Sequence, residues 1–291
     1  MESSDWHGAY TSTDLGAARS RSSNAEPDRV HREAVARVVM ALRQNTDVPL
    51  NLSEMAKIAF VSRFHFNRLF RRFTGMPPRQ FQSALRIADA MRLLLTSDMT
   101  ALEVCLSVGY SSLGTFTRRF VEVVGVSPIR LRRLASARPV LSVDHQPRAP
   151  QHSGSVAGTL HVPEGSCGVA VVGLYRTALP KGSPIASVVV TAGASEFALN
   201  GLGHGDYYAL AALIPKPADP IALLLAEASA VGRERVRVDE GRVSRIRISL
   251  RPLEITDPPI LPALAPVVLK QFLALTPATP RRAAEGITAL R

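Results

Sequence analysis

The order of apolar and polar residues divides the chain into two regimes. From His31 to about Leu134 apolar residues recur at helical spacing, beginning with Val35, Val38, Val39 and Leu42 at i, i+3, i+4 and i+7. From residue 156 to 252 the period drops to two. GTLHV, VAVVGLY, ASVVVTA, DYYALAAL, RVRVDEGRV and RIRISL are short and β-branched, with Gly, Pro or Asp-Glu-Gly turns between them, which predicts an antiparallel β-sandwich. Three segments lack either period. Residues 1–27 are small, polar and aperiodic and read as a disordered tail. Residues 135–155 mix proline, serine and glycine and read as a linker, and residues 253–291 as a proline-rich tail with a short helix over 264–274. The expected fold is therefore multidomain, an all-α domain over 28–134 followed by an antiparallel all-β sandwich over 156–252.

The helical part repeats itself. Shifted by 50 residues, Phe66 falls on Phe116, Arg68 on Arg118, Phe70 on Phe120, Gly75 on Gly125 and Pro78 on Pro128. Upstream, the helix-start signal Asn51-x-x-Glu54 recurs as Thr100-x-x-Glu103, a pairing that satisfies the free N–H groups of a first helical turn. Each copy reads as a short helix (LSEMAKIA; ALEVCLSV), a tight turn (FVS; GYSS) and a second helix ending at glycine. Helix, tight turn and helix, twice over, is a double helix-turn-helix. PRQFQSALRIADAMRLLL, Pro78 to Leu95, predicts a rigid helix of about 27 Å between the copies. With the width of its flanking units, such a spacer sets two helices about one DNA turn, roughly 34 Å, apart within one molecule, so an asymmetric site is natural.

The second helix of the first copy, SRFHFNRLFRRFTG, has two faces. Phe66, Phe70 and Phe73 stack at i, i+4 and i+7 with Leu69 beside them and form the core stripe. The other face carries Arg63, Phe64, Asn67, Arg68, Arg71 and Arg72. A helix fits the major groove, where Arg pairs with both guanine acceptors and Asn with adenine, so Arg68 and Asn67 are candidate base readers. Phe64 either meets a thymine methyl or caps the core. Arg63, Arg71 and Arg72, with Ser62 at the helix start, are candidate phosphate contacts. His65 reads as a surface or packing residue. In the second copy Phe116 and Phe120 are core, and Leu113, Gly114, Thr117, Arg118 and Arg119 are outward. Ser111 or Ser112 caps that helix and offers its N–H groups to a phosphate, with Thr115 and Arg119 in the same phosphate set.

Charge points the same way. The formal net charge is +11, and residues 28–138 hold 18 Lys and Arg against 8 Asp and Glu, which is +10 of it. A basic segment beside a neutral one suggests a polyanion-binding domain joined to something else. Cys105 and Cys167 lie far apart in apolar surroundings without metal or redox spacing, and both are expected to be buried, reduced thiols. No apolar run approaches the roughly 18 residues that span a membrane, and the polar, acidic start MESSDW does not read as a secretory signal.

Residues 31–134 resemble the DNA-binding domain of the AraC/XylS family of transcriptional regulators. The stretches that carry the likeness are A-x-x-A-F-V-S-x-x-H-F-x-R-L-F with TG-x-x-P, RIADAMRLL, and VGYSSLGTFTRRF with G-V-S-P. The resemblance implies base contacts from early and middle positions of both recognition helices: here Phe64, Asn67 and Arg68, then Leu113, Gly114, Thr117 and Arg118. Two positions depart from the family pattern. Phe60 stands where the family usually has glycine, and Gly114 leaves the second helix without a side chain. The family also usually carries this domain at the C-terminus, whereas here it comes first.

The second part offers no catalytic arrangement. GLGHGD lacks the last glycine of a dinucleotide-binding loop and lies between strands, so it reads as a β-turn. The seven histidines show no ligand spacing and no nucleophile motif is present. The alternation of Arg with Val and Ile in RVRVDEGRVSRIRISLR reads as a solvated sheet face, and Tyr175, Tyr207 and Tyr208 as core and surface residues of the sheet. SEFALNGLGHGDYYALAA is similar to a segment of transthyretin-like and carboxypeptidase-regulatory-like β-sandwiches, a likeness that implies an interaction module. Together these features predict a cytoplasmic, nucleoid-associated, sequence-specific transcription regulator and not an enzyme. Catalytic residues, metal and cofactors are expected to be none. The expected partner is double-stranded DNA, with RNA polymerase, and a small-molecule effector or protein partner at the β domain, as further candidates, and no membrane. The rival readings are a non-specific architectural DNA binder and an enzyme with a DNA-binding appendage.

Overall fold

The computed structural model describes residues 13–136, 153–177, 184–190, 195–215, 224–225, 227–259, 262 and 265, with side chains from residue 26 onward except Leu134. Among the described residues seven helices precede eight strands: α1 (Thr13–Gln44), α2 (Leu52–Ile58), α3 (Arg63–Thr74), α4 (Pro78–Thr96), α5 (Ala101–Ser107), α6 (Leu113–Val124) and α7 (Pro128–Ser136). The strands are β1 (Gly154–His161), β2 (Val169–Tyr175), β3 (Ala186–Val190), β4 (Glu196–Leu202), β5 (Gly205–Ile214), β6 (Ala230–Val238), β7 (Val243–Ser249) and β8 (Arg251–Pro252). The first helix corrects the expected tail. It begins at Thr13, because Ala17, Ala18, Arg19, Arg21 and Ala25 favour helix without forming an apolar stripe. Residues 1–12, most of the expected linker (137–152) and most of the expected helix over 264–274 lie outside the described residues; Ala265 is helical and buried.

Both halves of the repeat fold by the same local rules. Asn51 and Glu54 form a reciprocal capping box at the start of α2, and Thr100 and Glu103 form its counterpart at α5. The serines Ser62 and Ser112 cap α3 and α6, each accepting from the backbone N–H three residues on. Both helices end at a left-handed glycine, Gly75 at φ 77° and Gly125 at φ 82°, where any other residue is strained. The first unit buries Phe66, Leu69 and Phe70 against α1 residues Val35, Val38, Val39 and Leu42 and against Phe81 of α4. Phe70 meets Phe81 edge-on at 5.4 Å between ring centres. Phe73 is half-buried, with the guanidinium groups of Arg32 and Arg72 at 5.3 and 5.5 Å from its ring. The second unit buries Phe116, Phe120, Val104 and Cys105 against Ile87, Met91 and Leu94 of α4. The spacer helix therefore belongs to two cores, one at each end.

Two sheets form the β domain, one in the order β4-β1-β7 and the other β3-β2-β5-β6-β8. All pairs are antiparallel except β1–β7, which runs parallel with Ser155 opposite Val243. Val172, Leu174, Tyr207, Ala209, Phe197 and Ile248 fill the space between the sheets. The tight turn from β6 to β7 runs through Asp239, Glu240 and Gly241, whose φ of 65° is left-handed. The GLGHG stretch carries the chain from β4 in one sheet to β5 in the other, as its turn chemistry predicts. Tyr207 is fully buried and donates its hydroxyl to the Gly203 carbonyl at 2.7 Å.

The strands β2 and β5 are apolar on both sides. Ala170, Val172 and Leu174 point into the sandwich, whereas Val171 and Tyr175, with Leu210, Ala212 and Ile214 of β5, join the apolar cluster of the second helical unit. Leu224, Ala228 and Ala265 belong to the same cluster. A sheet covered on both faces explains why VAVVGLY and ALAALI read as continuous apolar runs rather than strict alternation. Polar contacts tie the β domain to the first unit as well. Arg32 pairs with Glu254 at 2.8 Å, and Arg43 donates to the Asp257 carbonyl at 3.3 Å. Asp257, almost fully buried, accepts two bonds from Arg251 at 2.6 and 2.7 Å. The Arg233 guanidinium lies at the end of α3, 3.5 Å from where a Cβ on Gly75 would stand. Of the two thiols, Cys105 is buried and its pKa is raised by burial, as expected. Cys167 is exposed, contrary to expectation, because it lies in the loop after the Gly165 turn, beyond the end of β1.

Truncating Phe70 removes a fully buried ring at the junction of α1, α3 and α4, so Phe70→Ala is expected to cost about 3–5 kcal/mol in urea unfolding of the full chain. Burial alone would raise the Asp257 pKa, but the bonds from Arg251 and from the Glu254 N–H, together with the charges of Arg251 and Arg233, leave it lowered. Its contribution to stability is therefore complete above the ordinary aspartate range and is lost as pH falls through the lowered value. Thermal melts should show Asp257→Asn less stable than the parent at neutral pH, with the difference closing in acid. A difference that stayed constant down to acid pH would contradict this role.

Candidate nucleic-acid interface

The helices α3 and α6, each twelve residues long, occupy the same place in their units, following a short capped helix and a tight turn. On α3 the outward residues are Arg63, Phe64, Arg68, Arg71 and Arg72, all exposed, with Asn67 half-buried between them. Phe64 is 85% exposed, which removes it from the core and leaves its ring in contact with the Arg63 guanidinium at 5.9 Å. Arg72 is tied to Asp28 of α1 at 2.8 Å, an exposed ion pair. Arg68 and Arg71 have no described ion-pair partner. Ser62 is exposed at the start of the helix, and the first N–H groups there have no intrahelical acceptor.

The second helix presents a different surface. Ser111, Ser112, Leu113, Gly114, Thr115 and Arg118 are exposed and Thr117 is half-buried. Around Gly114 the space is open: a Cβ there would meet only the Ser112 hydroxyl oxygen, at 3.9 Å. Arg119 is turned inward. Its Nε donates to the Ser83 hydroxyl at 2.9 Å and it pairs with Glu122 at 2.8 Å. By the 50-residue repeat Arg119 corresponds to Leu69, a buried position, so its guanidinium performs with hydrogen bonds the packing that a leucine performs in the first unit. Arg71 and Arg72 correspond to Val121 and Glu122, so the second helix lacks two of the first helix's positive charges.

Behind both helices stands Arg86 of α4, a residue that the periodicity of RIADAMRLL does not single out. It is 9% exposed and donates to the carbonyls of Thr46, Asp47 and Gly109 at 2.8, 3.2 and 3.0 Å, with the Tyr110 ring 5.8 Å from its guanidinium. Burial lowers its pKa, and the nearby Tyr110 and Asp47 oppose that. Tyr110 shares a hydrogen bond with Ser83, which also accepts from Arg119. The turn of the second unit is thereby fixed to the spacer helix. In the first unit the corresponding turn residue is Phe60, which adopts φ 58° and is 84% exposed with the Arg37 guanidinium 5.6 Å from its ring. His65 lies half-buried against His31, rings 5.4 Å apart, and its buried Nε2 has no hydrogen-bond partner.

A family model described as a helix-turn-helix domain matches residues 55–134. The transposon Tn10 TetD protein of Escherichia coli is 31% identical over 103 residues, covering 35% of this chain and 75% of TetD. The HTH-type transcriptional regulator GlxA of Rhizobium meliloti is 31% identical over 130 residues, 45% of this chain and 40% of GlxA. An uncharacterized HTH-type transcriptional regulator of Haemophilus influenzae is 31% identical over 98 residues, and the chain spans 33% of that relative's length. Among solved structures, the DNA-binding domain of AdpA in complex with a target DNA is 33% identical, over 36% of this chain and 94% of that one, with a TM-score of 0.35. Among the described residues no helix is long and apolar enough to cross a membrane. With the double helix-turn-helix in place and three quarters of TetD matched at 31% identity, the chain belongs to the AraC family of helix-turn-helix transcriptional regulators.

Proposed function

We propose that the protein is a sequence-specific transcription regulator that sets α3 and α6 into successive major grooves of an asymmetric DNA site. The observation that carries this reading is the repeat itself. Two equivalent serine-capped helices hold Arg68 and Arg118 outward at matching positions, on opposite ends of one spacer helix. The spacer has 19 residues, about 28 Å at about 1.5 Å each, which together with the width of its flanking units approaches the roughly 34 Å between grooves one turn apart. In this reading Phe64, Asn67 and Arg68 read bases from the first helix, and Leu113, Gly114, Thr117 and Arg118 lie over bases in the second. Ser62, Arg63, Arg71 and Arg72 hold the backbone on one side, and Ser111, Ser112 and Thr115 at the start of α6 on the other. Arg119 belongs to this phosphate set only if DNA draws it from Ser83 and Glu122. The β domain carries the regulatory input, and RNA polymerase is the protein met at a promoter. The protein acts in the cytoplasm, at the nucleoid.

The halves are unequal. The first offers an amide and an arginine to base edges and three further arginines to phosphates. The second offers Thr117 and Arg118, an exposed Val121 and an acidic Glu122. A bare Gly114 reads no base but lets the backbone approach DNA beside the capped helix end. Selection of binding sites from random DNA with the full chain is the direct test: a bipartite consensus is expected, with most of the information in one half. A consensus equally informative in both halves would falsify the asymmetry, and no consensus at all would favour an architectural binder.

Two substitutions on α3 separate reading from holding. Arg68→Ala is expected to relax preference at one or two base pairs and to cost about 1–3 kcal/mol on the selected site. Arg71→Ala should weaken all sequences alike and reduce the slope of affinity against salt by about one unit. Titrations across a panel of site variants at several salt concentrations distinguish them. Identical behaviour of the two variants would overturn the assignment of faces.

A further inference from the structure

On α3 the outward row Phe64, Arg68 and Arg71 falls at i, i+4 and i+7, and the next place on it, i+11, is Gly75. No side chain grows from that place, but one is brought to it. The Arg233 guanidinium of β6 stands there, 3.5 Å from where a Cβ on Gly75 would lie. Along β6, Arg233, Arg235 and Arg237 are exposed and alternate with Glu234, Val236 and Val238, so the three share one face of the strand at steps of about 7 Å. Val231, on that same face, packs in the apolar cluster of the second helical unit. The strand therefore leaves the domain junction at Val231, passes the end of α3 at Arg233 and carries two more arginines beyond it.

The acidic groups nearby do not neutralise this row. Arg235 meets Asp206 at 3.4 Å and Arg237 meets Asp239 at 3.8 Å, both exposed ion pairs of the kind that contribute little. Asp257 feels the Arg233 charge, but both its carboxylate oxygens are engaged by Arg251. Among the described residues Arg233 has no hydrogen-bond or ion-pair partner. A cation beside the carbonyl end of a helix is favourable in itself, which accounts for Arg233 but not for the two arginines that follow it outward.

We propose that β6 is a third DNA-contacting element, in which Arg233 holds phosphate next to that met by Arg71, and Arg235 and Arg237 hold the backbone of the duplex flanking the half-site read by α3. This rests on α3 lying in a major groove, as proposed above. Contacts of this kind go to phosphates, so they add affinity and salt dependence without adding sequence information.

Two duplexes that share the selected site test this with the full chain, one ending with the half-site read by α3 and one continuing past it by about a helical turn of arbitrary sequence. In fluorescence anisotropy titrations the parent is expected to bind the longer duplex severalfold more tightly and with a steeper fall of affinity against salt. Arg235→Gln combined with Arg237→Gln should abolish that preference, lower the salt slope on the longer duplex by about two units and leave the preferred sequence unchanged. Both positions are exposed and Arg233 stays at the helix end, so the thermal midpoint should hold. Arg245→Gln combined with Arg247→Gln, which removes equal charge from the exposed face of β7 in the other sheet, should keep the length preference. Arg233→Gln should weaken both duplexes and lower the salt slope by about one unit, a change that a purely structural loss at the end of α3 would not produce. Retention of the length preference in the β6 double variant, its loss in the β7 double variant, or parental affinity in Arg233→Gln would each overturn the proposal. A parent with no preference for the selected site over unrelated DNA would overturn the proposed function along with it, whereas site-specific binding without any length effect would overturn the contact from β6 alone.

Discussion

Everything at the candidate interface depends on one buried guanidinium. Arg86 takes the carbonyls of Thr46 and Asp47, between α1 and α2, and of Gly109, between α5 and α6. It thereby binds the loop that enters the first unit to the turn of the second. The geometry leaves no room to spare: a Cβ on Gly109 would collide with the Asp47 carbonyl oxygen and with the Arg86 guanidinium itself, and Gly109 also has φ 78°. Only glycine satisfies both conditions. A charge taken out of water needs such saturation by acceptors, since a buried cation without them is strongly unfavourable. The first unit and α6 are held in mutual register because the loop before α2 and the turn before α6 share this one guanidinium.

Once that register exists, the two units are free to differ on the surface. The repeat preserves what folding needs: capping boxes, serine caps, a left-handed glycine after each second helix and the paired phenylalanines. It does not preserve the outer faces. Phe64 becomes Gly114, Asn67 becomes Thr117, and Arg71 and Arg72 become Val121 and Glu122. The turns differ as well. Phe60 adopts a left-handed conformation that costs a non-glycine residue about 1–2 kcal/mol, and there the side chain projects into solvent beside Arg37. Glycine is obligatory at 109, where Asp47 and Arg86 crowd the backbone, and dispensable at 60, where the turn is open on that side.

The legible part of the sequence was the part governed by short-range rules. A cap, a box or a left-handed glycine acts within four residues, so Asn51-x-x-Glu54 and Thr100-x-x-Glu103 marked helix starts correctly. The core stripe of α3 and the outward face beside it followed from helical spacing alone. What escaped depends on residues distant in sequence. Arg119 sits among outward residues by its letter, yet Ser83 and Glu122 turn it inward. Only the repeat offered a clue, since its counterpart is the apolar Leu69. The parallel pairing of β1 with β7 joins segments nearly ninety residues apart and has no local signature. Arg43 and Arg86 look like ordinary surface arginines until the chain surrounds them.

The strands β2 and β5 show why the two domains are not independent. A half-exposed strand alternates, and these do not, because Val171, Tyr175, Leu210, Ala212 and Ile214 belong to the same apolar cluster as Ile87, Met91 and Phe116. Apolar surface removed from water contributes about 25 cal/mol per Å², so separating the domains would return a continuous face to solvent at substantial cost. The polar contacts Arg32–Glu254 and Arg43–Asp257 reach the first unit, while the apolar cluster reaches the second. The β domain therefore bears on both helical units through the spacer helix and its flanks, without covering Phe64, Arg68, Gly114 or Arg118, all of which stay exposed. Any change in how the β domain seats against α1 and α4 acts on the same elements that Arg86 holds in register. Under the proposed function, that contact is the physical route by which an event remote from the interface would change how the two helices are presented.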